Sequence, residues 1–259
     1  MKLLFSEAPP DYSAYVFPWV VWGFLEPGET PADAFAKGFL PSLPDLSRWY
    51  LCRQVRVPLD GFCPTSENRR ILRRGAEISF QLLERSEFDW TPERRAFCLD
   101  YAARRWSTPP AGERLDRLFA SALTTHVAVF RDRDGRETGL VTLFRTGATW
   151  FYSNAFYDAD APSGLGAFLM TETVRQLAGA GGAFLHLGTC YSRSALYKTR
   201  FPGIAFFDGT GWNPDLAALK HILARGESGA SGHLLEDPAY VERWLPQGLE
   251  SAADSFGTR

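Results

Sequence analysis

The stretch from His126 to Gly188 constrains the chain most. Three runs of β-formers, His126 to Phe130, Gly139 to Arg145 and Thr149 to Phe156, are separated by Asp134-Gly135 and Thr146-Gly147. Such pairs favour tight hairpin turns, so the runs describe an antiparallel meander. A helix is expected next, from about Ser163 to Ala178, with Leu165, Phe168, Leu169, Leu177 and Ala178 on its buried face and Gly179, Gly181 and Gly182 closing it. Ala183 to Gly188 then reads as a short buried strand. Strands, a helix and a further buried strand make an α+β arrangement, a mixed sheet flanked by helices.

The flanks are less regular. Pro9, Pro10, Pro18, Pro27, Pro31, Pro41, Pro44, Pro58 and Pro64 interrupt any long helix in the first 65 residues, so short strands and irregular segments are expected there. Ala32 to Lys37 predicts one helix closed by Gly38, and Arg48 to Pro58 an extended strand carrying Tyr50, Cys52, Val55 and Val57. Ser66 is placed to cap a helix over Glu67 to Arg74 that ends at Gly75, and Thr91-Pro92 opens a second. Phe97, Tyr101 and Trp106 fall near one face of that second helix, with Arg94, Arg95, Arg104 and Arg105 elsewhere on it. Thr108-Pro109-Pro110 reads as a short linker, dividing an N-terminal region, residues 1–110, from a second region, residues 111–259, against which it should pack. Beyond the linker, helices are expected near Glu113 to Leu123, Ser194 to Thr199 and Asp215 to Ala224, a strand at Ile204 to Phe207, and a flexible loop at Gly226 to Gly232.

A chain of 259 residues, 45% hydrophobic and 14% aromatic, has ample material for a buried core. Its formal charge of -2 argues against binding nucleic acid by bulk attraction, so DNA is not an expected partner and any RNA contact must be local. Cys52, Cys63, Cys98 and Cys190 lack metal-binding spacing and signal neither a zinc site nor a disulfide framework, which fits reduced thiols in the cytoplasm. The start has too short an apolar run for a signal peptide, and no stretch is long enough for a membrane span.

Several segments together resemble the arginyl/leucyl-tRNA-protein transferase family in a divergent bacterial-type form. They are Phe62-Cys63-Pro64-Thr65-Ser66 leading into the arginine-rich helix, Gly164-Leu165-Gly166-Ala167-Phe168-Leu169, Leu187-Gly188-Thr189-Cys190-Tyr191, Leu196-Tyr197-Lys198-Thr199-Arg200-Phe201-Pro202, and Gly211-Trp212. The family's early Cys-x-Tyr-Leu-Pro is replaced here by Ser13-Ala14-Tyr15-Val16-Phe17-Pro18, so no metal or cluster cofactor is expected. The resemblance implies a second region like the acyl-CoA N-acyltransferase (GNAT) fold. It also implies transfer of an amino acid from aminoacyl-tRNA, as co-substrate, to the N-terminal amine of an acceptor protein, one with an acidic first residue.

Aminolysis of an aminoacyl ester needs a neutral amine held near the carbonyl and donors for the developing oxyanion. In a GNAT-like sheet the strand ending at Gly188 splays from its neighbour, which makes Leu187 to Tyr191 the expected floor of the site. Tyr191, Tyr197 and Lys198 are the candidate catalytic residues: the two tyrosines are able to position the amine or relay its proton, and Lys198, with Arg200, to hold a phosphate or an acidic acceptor side chain. Gly188, Thr189 and Arg200 are candidate substrate-binding residues, as are Arg69, Arg70, Arg73 and Arg74, whose spacing suits the phosphates of a folded RNA. His186 reads as a satisfied core residue and Asp208 as a turn former. Two alternatives stay open. One is a coenzyme A-dependent N-acyltransferase taking acetyl-CoA or another acyl-CoA, in which Gly164 and Gly166 would cradle a pyrophosphate. The other is a non-catalytic module that binds tRNA or a protein N-terminus.

Overall fold

A computed structural model describes residues 1–12, 18–161, 163–229 and 232–254. Ser13 to Phe17 of the early segment, Pro162 before the glycine pair, and Ala230 and Ser231 of the late loop therefore lie outside the described residues. The architecture is α+β, as expected: a large mixed sheet with helices on both faces.

Eight strands run side by side in the order β12 (Trp212–Asn213), β11 (Ala205–Phe207), β5 (Gln54–Pro58), β10 (Phe184–Thr189), β9 (Thr149–Tyr157), β8 (Glu137–Thr146), β7 (His126–Arg131) and β6 (Ser79–Glu84). The meander is β7, β8 and β9, each pair antiparallel. α5 (Leu165–Gly179) crosses over to β10, which pairs parallel with β9. β5, β11 and β12 complete one side, and β6 pairs antiparallel with β7 at the other edge. β6 carries no tight-turn signal toward a neighbouring strand, and its partner lies about 45 residues on, so local pattern does not announce it. Strands from residues 1–110 and from residues 111–259 thus share this sheet.

The Arg48 to Pro58 segment departs from the expectation of one strand. It divides into β4 (Trp49–Leu51) and β5, which belong to different sheets. β4 joins β1 (Lys2–Glu7), β2 (Trp19–Phe24) and β3 (Phe39–Pro41) in a small four-stranded sheet. With α1 (Pro31–Ala36), that sheet buries Phe35, Phe39 and Trp49 against Phe144 and Phe151 of the large one. The aromatic N-terminal region is therefore packed onto the main sheet.

Alternation along the strands assigns the two faces. Val127 and Val129 of β7 meet α3 (Pro92–Arg105) and α4 (Gly112–Ala120), whereas Ala128 and Phe130 meet α5 and α2 (Ser66–Arg74). α6 (Leu216–Glu227) and α7 (Pro238–Trp244) join the second face, and α8 (Leu249–Asp254) follows them in the chain. Thr65, one residue before the expected Ser66, caps α2. Its hydroxyl accepts from the Asn68 backbone N–H at 3.1 Å, and Asn68 Oδ1 accepts from the Thr65 N–H at 3.1 Å.

Candidate active site at the splayed strands

β9 and β10 are paired only at Thr149–Phe184, Trp150–Leu185 and Phe151–His186. Beyond that point each strand carries a bulge. On β9 the register against β8 steps from Asn154–Thr142 to Tyr152–Leu143, leaving Ser153 as the extra residue. On β10 the register against β5 is broken between His186 and Thr189. Gly188 lies in this break with φ of +82°, a left-handed conformation that an L side chain adopts only with strain. The two irregularities bend the strands apart and leave backbone groups of both without a sheet partner.

A cavity of about 580 Å³ fills the splay. Its floor includes Tyr152 to Ala155 and Leu187; one wall is the start of α5 at Gly164 to Ala167, and another is the end of α3 with Arg105 and Trp106. The third wall is the 3-10 helix Arg193–Thr199 and the residue after it, which bring Tyr197, Lys198 and Arg200 to the opening. Phe201, buried at 3% exposure, anchors this segment in the core.

Lys198 Nζ donates to the carbonyl oxygen of Thr189 at 2.9 Å, and a Cβ on Gly188 would stand 3.6 Å from the same nitrogen. Half-buried and without a carboxylate partner, the ammonium is held below its usual range by desolvation, and Cys190 opposes that shift only partly. Arg200 donates from Nε to the Tyr197 carbonyl at 2.7 Å and approaches Glu67 at 3.5 Å, while Asn68 donates to the Arg200 carbonyl at 3.3 Å. α2 is thereby tied to the cavity wall. On α2, Arg69 donates to the Pro64 carbonyl at 2.7 Å, and Arg70, Arg73 and Arg74 are exposed with no ion pair among the described residues.

Tyr191 lies elsewhere. Its hydroxyl accepts from the Arg53 N–H at 2.8 Å, its ring sits under the Arg53 guanidinium at 4.6 Å, and it borders a separate depression of about 220 Å³. The structure thus gathers Gly188, Thr189, Tyr197, Lys198 and Arg200 at one place and leaves Tyr191 outside it.

Gly164 has φ of +107°, and a Cβ on Gly166 would come within 2.9 Å of the Tyr157 ring, so each glycine has a backbone or packing reason. His186 is buried, with Nδ1 2.9 Å from Gln54 Oε1, and burial together with Arg56 lowers it to about 3. Asp208 closes a turn, its Oδ1 accepting from Thr210 and Gly211. Three of the α3 arginines are held by carboxylates: Arg94 by Glu137, Arg95 by Asp116, and Arg104 by Asp100 and Asp160. Arg105 instead lines the cavity, anchored on the Ala159 carbonyl at 3.0 Å. Trp106, Asn154 and Tyr157, also lining residues, carry no sequence motif. The packing of Trp106 on Tyr101 and Phe156, the bulge at Ser153 and the close approach of Tyr157 to Gly166 place them there.

Comparison with known proteins adds the following. No family model matches the chain. It is 30% identical over 178 residues to an aspartate/glutamate leucyltransferase of Rhizorhabdus wittichii, covering 62% of this chain and 65% of that protein. A protein of the same name from Maricaulis maris is 27% identical over 237 residues, 85% of this chain and 92% of the relative, and one from Chromobacterium violaceum is 28% identical over 177 residues, 62% and 68% respectively. The chain thus aligns with just under two thirds of the first relative's length. Among solved structures it superposes in part on L-PGS from Bacillus licheniformis, at 16% identity and a TM-score of 0.42 over 54% of this chain and 46% of that one. A GCN5-related N-acetyltransferase from Sphaerobacter thermophilus gives 15% identity and a TM-score of 0.38 over 73% and 56%. No described helix is long and apolar enough to cross a membrane.

Proposed function

We propose that the chain is an aminoacyl-tRNA-protein transferase that moves an amino acid, leucine by its relatives' name, from charged tRNA to the N-terminal amine of an acceptor beginning with Asp or Glu. The observation that carries this reading is the cavity at the β9–β10 splay, where a desolvated lysine and two arginines meet unpaired backbone. Charged tRNA and new protein N-termini place the reaction in the cytoplasm.

The step is an aminolysis. The acceptor amine attacks the ester carbonyl, the C–N bond forms, the C–O bond to the terminal ribose breaks, and the proton lost by nitrogen is balanced by one gained at the ribose oxygen. The ester is already activated, so no enzyme-bound intermediate is required. Lys198, shifted toward its neutral form, is the group to accept the amine's proton, and the Thr189 carbonyl keeps it aimed. The Tyr197 hydroxyl stands at the same mouth to pass a proton to the leaving oxygen. Backbone on the free edge of β9 faces the position where the oxyanion grows. Arg105 and Arg200 supply positive charge for the acceptor's carboxylate, and the open arginines of α2 suit the phosphates of the tRNA end.

The α5 N-terminus in the cavity wall supports a second reading, acyl transfer from coenzyme A. Against it, Gly166 is accounted for by Tyr157. Incubation with a pool of labelled aminoacyl-tRNAs and peptides differing in their first residue tests the first reading. Micromolar binding of acetyl-CoA without binding of tRNA would replace it with the second.

A further inference from the structure

The splay cavity adjoins a second depression. Trp106 and Asn154 line both, the second being a larger groove, of about 840 Å³, between the Pro41–Asp45 segment and α4. The groove lies on the α3–α4 face of the sheet, whereas α2 and its arginines lie on the other. Two substrates that meet at one carbonyl need separate approaches, and the molecule offers two of different chemistry.

We propose that this groove seats the acceptor polypeptide downstream of its first residue, so that the amine reaches the splay past Trp106 and Asn154. The proposal rests on the transferase reading above. Leu43, Pro44 and Leu118 give the groove an aliphatic wall suited to the side chains of an extended chain. RNA would find on it neither the clustered open cations of α2 nor a row of aromatic platforms. Its rim carries the exposed cations Arg114 and Arg117 against one lining acid, Asp45, a balance that favours acceptors acidic near their start. At the passage, Asn154 donates from its backbone to Thr142 Oγ1 at 3.1 Å and from Nδ2 to Ser153 Oγ at 2.9 Å. Its Oδ1 accepts no hydrogen bond among the described residues, which leaves an acceptor for a backbone N–H of the incoming chain.

The test is peptide binding followed by fluorescence anisotropy, read beside tRNA binding. Ala122, exposed on the groove wall, is replaced in Ala122→Trp to fill it without touching the core. Wild type should bind a Glu-initiated hexapeptide more tightly than the Glu-initiated dipeptide. Ala122→Trp should weaken the hexapeptide by about tenfold or more and erase that length dependence, with tRNA affinity within about twofold. Arg114→Glu with Arg117→Glu, on the exposed side of α4, should weaken a hexapeptide acidic at its third and fourth residues by at least about threefold. Equal hexapeptide affinity in all proteins, or a loss of tRNA affinity with peptide binding intact, would overturn the proposal, the latter by making the groove an RNA subsite. Absent transfer with the peptide pattern as predicted would count against the transferase reading alone.

Discussion

Lys198 reaches back nine residues to donate to the carbonyl of Thr189 at 2.9 Å, closing the loop that follows the left-handed Gly188. The bulge that bends β10 away from β9 therefore also fixes where the lysine nitrogen stands.

Replacing Lys198 by Met keeps much of the stem's packing and deletes the titratable group, so the melting temperature should hold while transfer falls about tenfold to a hundredfold, roughly 1.4 to 2.7 kcal/mol of transition-state binding. Burial holds this lysine below its usual 10.5, so the wild-type rate should rise with pH as the ammonium deprotonates, through a midpoint under that value. Lys198→Arg stays cationic and should lose that limb. The acceptor amine, titrating near about 8 in both proteins, cancels in the comparison. Superimposable profiles would remove Lys198 from proton transfer.

Phe201 should behave in the opposite way. It is buried beside Phe62, ring centroids 6.4 Å apart, so Phe201→Ala should lower unfolding free energy by about 3 to 5 kcal/mol through lost packing and a cavity. Denaturant melts will read this directly, and a change below about 1 kcal/mol would mean the segment is not anchored there.

His186 predicts an acid limb of stability. Its folded value near 3 lies below the ordinary 6.5, so the unfolded chain binds a proton that the folded chain refuses, and stability is lost as pH falls from 6.5 toward 3. At roughly pH 4.5 the loss is of order 2 to 3 kcal/mol relative to neutrality. His186→Gln should flatten this limb in chemical-denaturation series across pH, provided it still pairs with Gln54.

For α2, Arg70→Ala with Arg73→Ala should weaken tRNA binding and make its salt dependence shallower, since each lost phosphate contact lowers the logarithmic slope by about 0.7 to 0.9. Binding isotherms at several salt concentrations give that slope. An unchanged slope and affinity would take the helix out of the interface.

The meander, α5 and β10 are legible from the sequence because hairpin dipeptides, helical spacing and glycine closure act locally. Lys198, Thr189 and Gly188 are legible because they fall in the two segments that resemble the transferase family, which lie only a few residues apart in the chain. The division of Arg48 to Pro58 between two sheets is not legible, since Cys52 and Arg53 break the run only through their tertiary partners, Gly38 and Cys190. Tyr191 ends the segment Leu187 to Tyr191 that the resemblance makes the floor of the site, but the turn after Thr189 sends its ring to Arg53. Arg105, Trp106 and Asn154 come together from α3 and β9, an assembly that depends on the bulge at Ser153 and on how a helix end meets a splayed strand.

The most direct measurement is mass spectrometry of a Glu-initiated peptide after incubation with the protein and leucyl-tRNA. The account predicts that the peptide gains one leucyl residue on its α-amine, that an N-acetylated copy gains none, and that Lys198→Met slows the gain. An unmodified peptide with every charged tRNA, alongside acetylation of the same amine when acetyl-CoA is supplied, would contradict it.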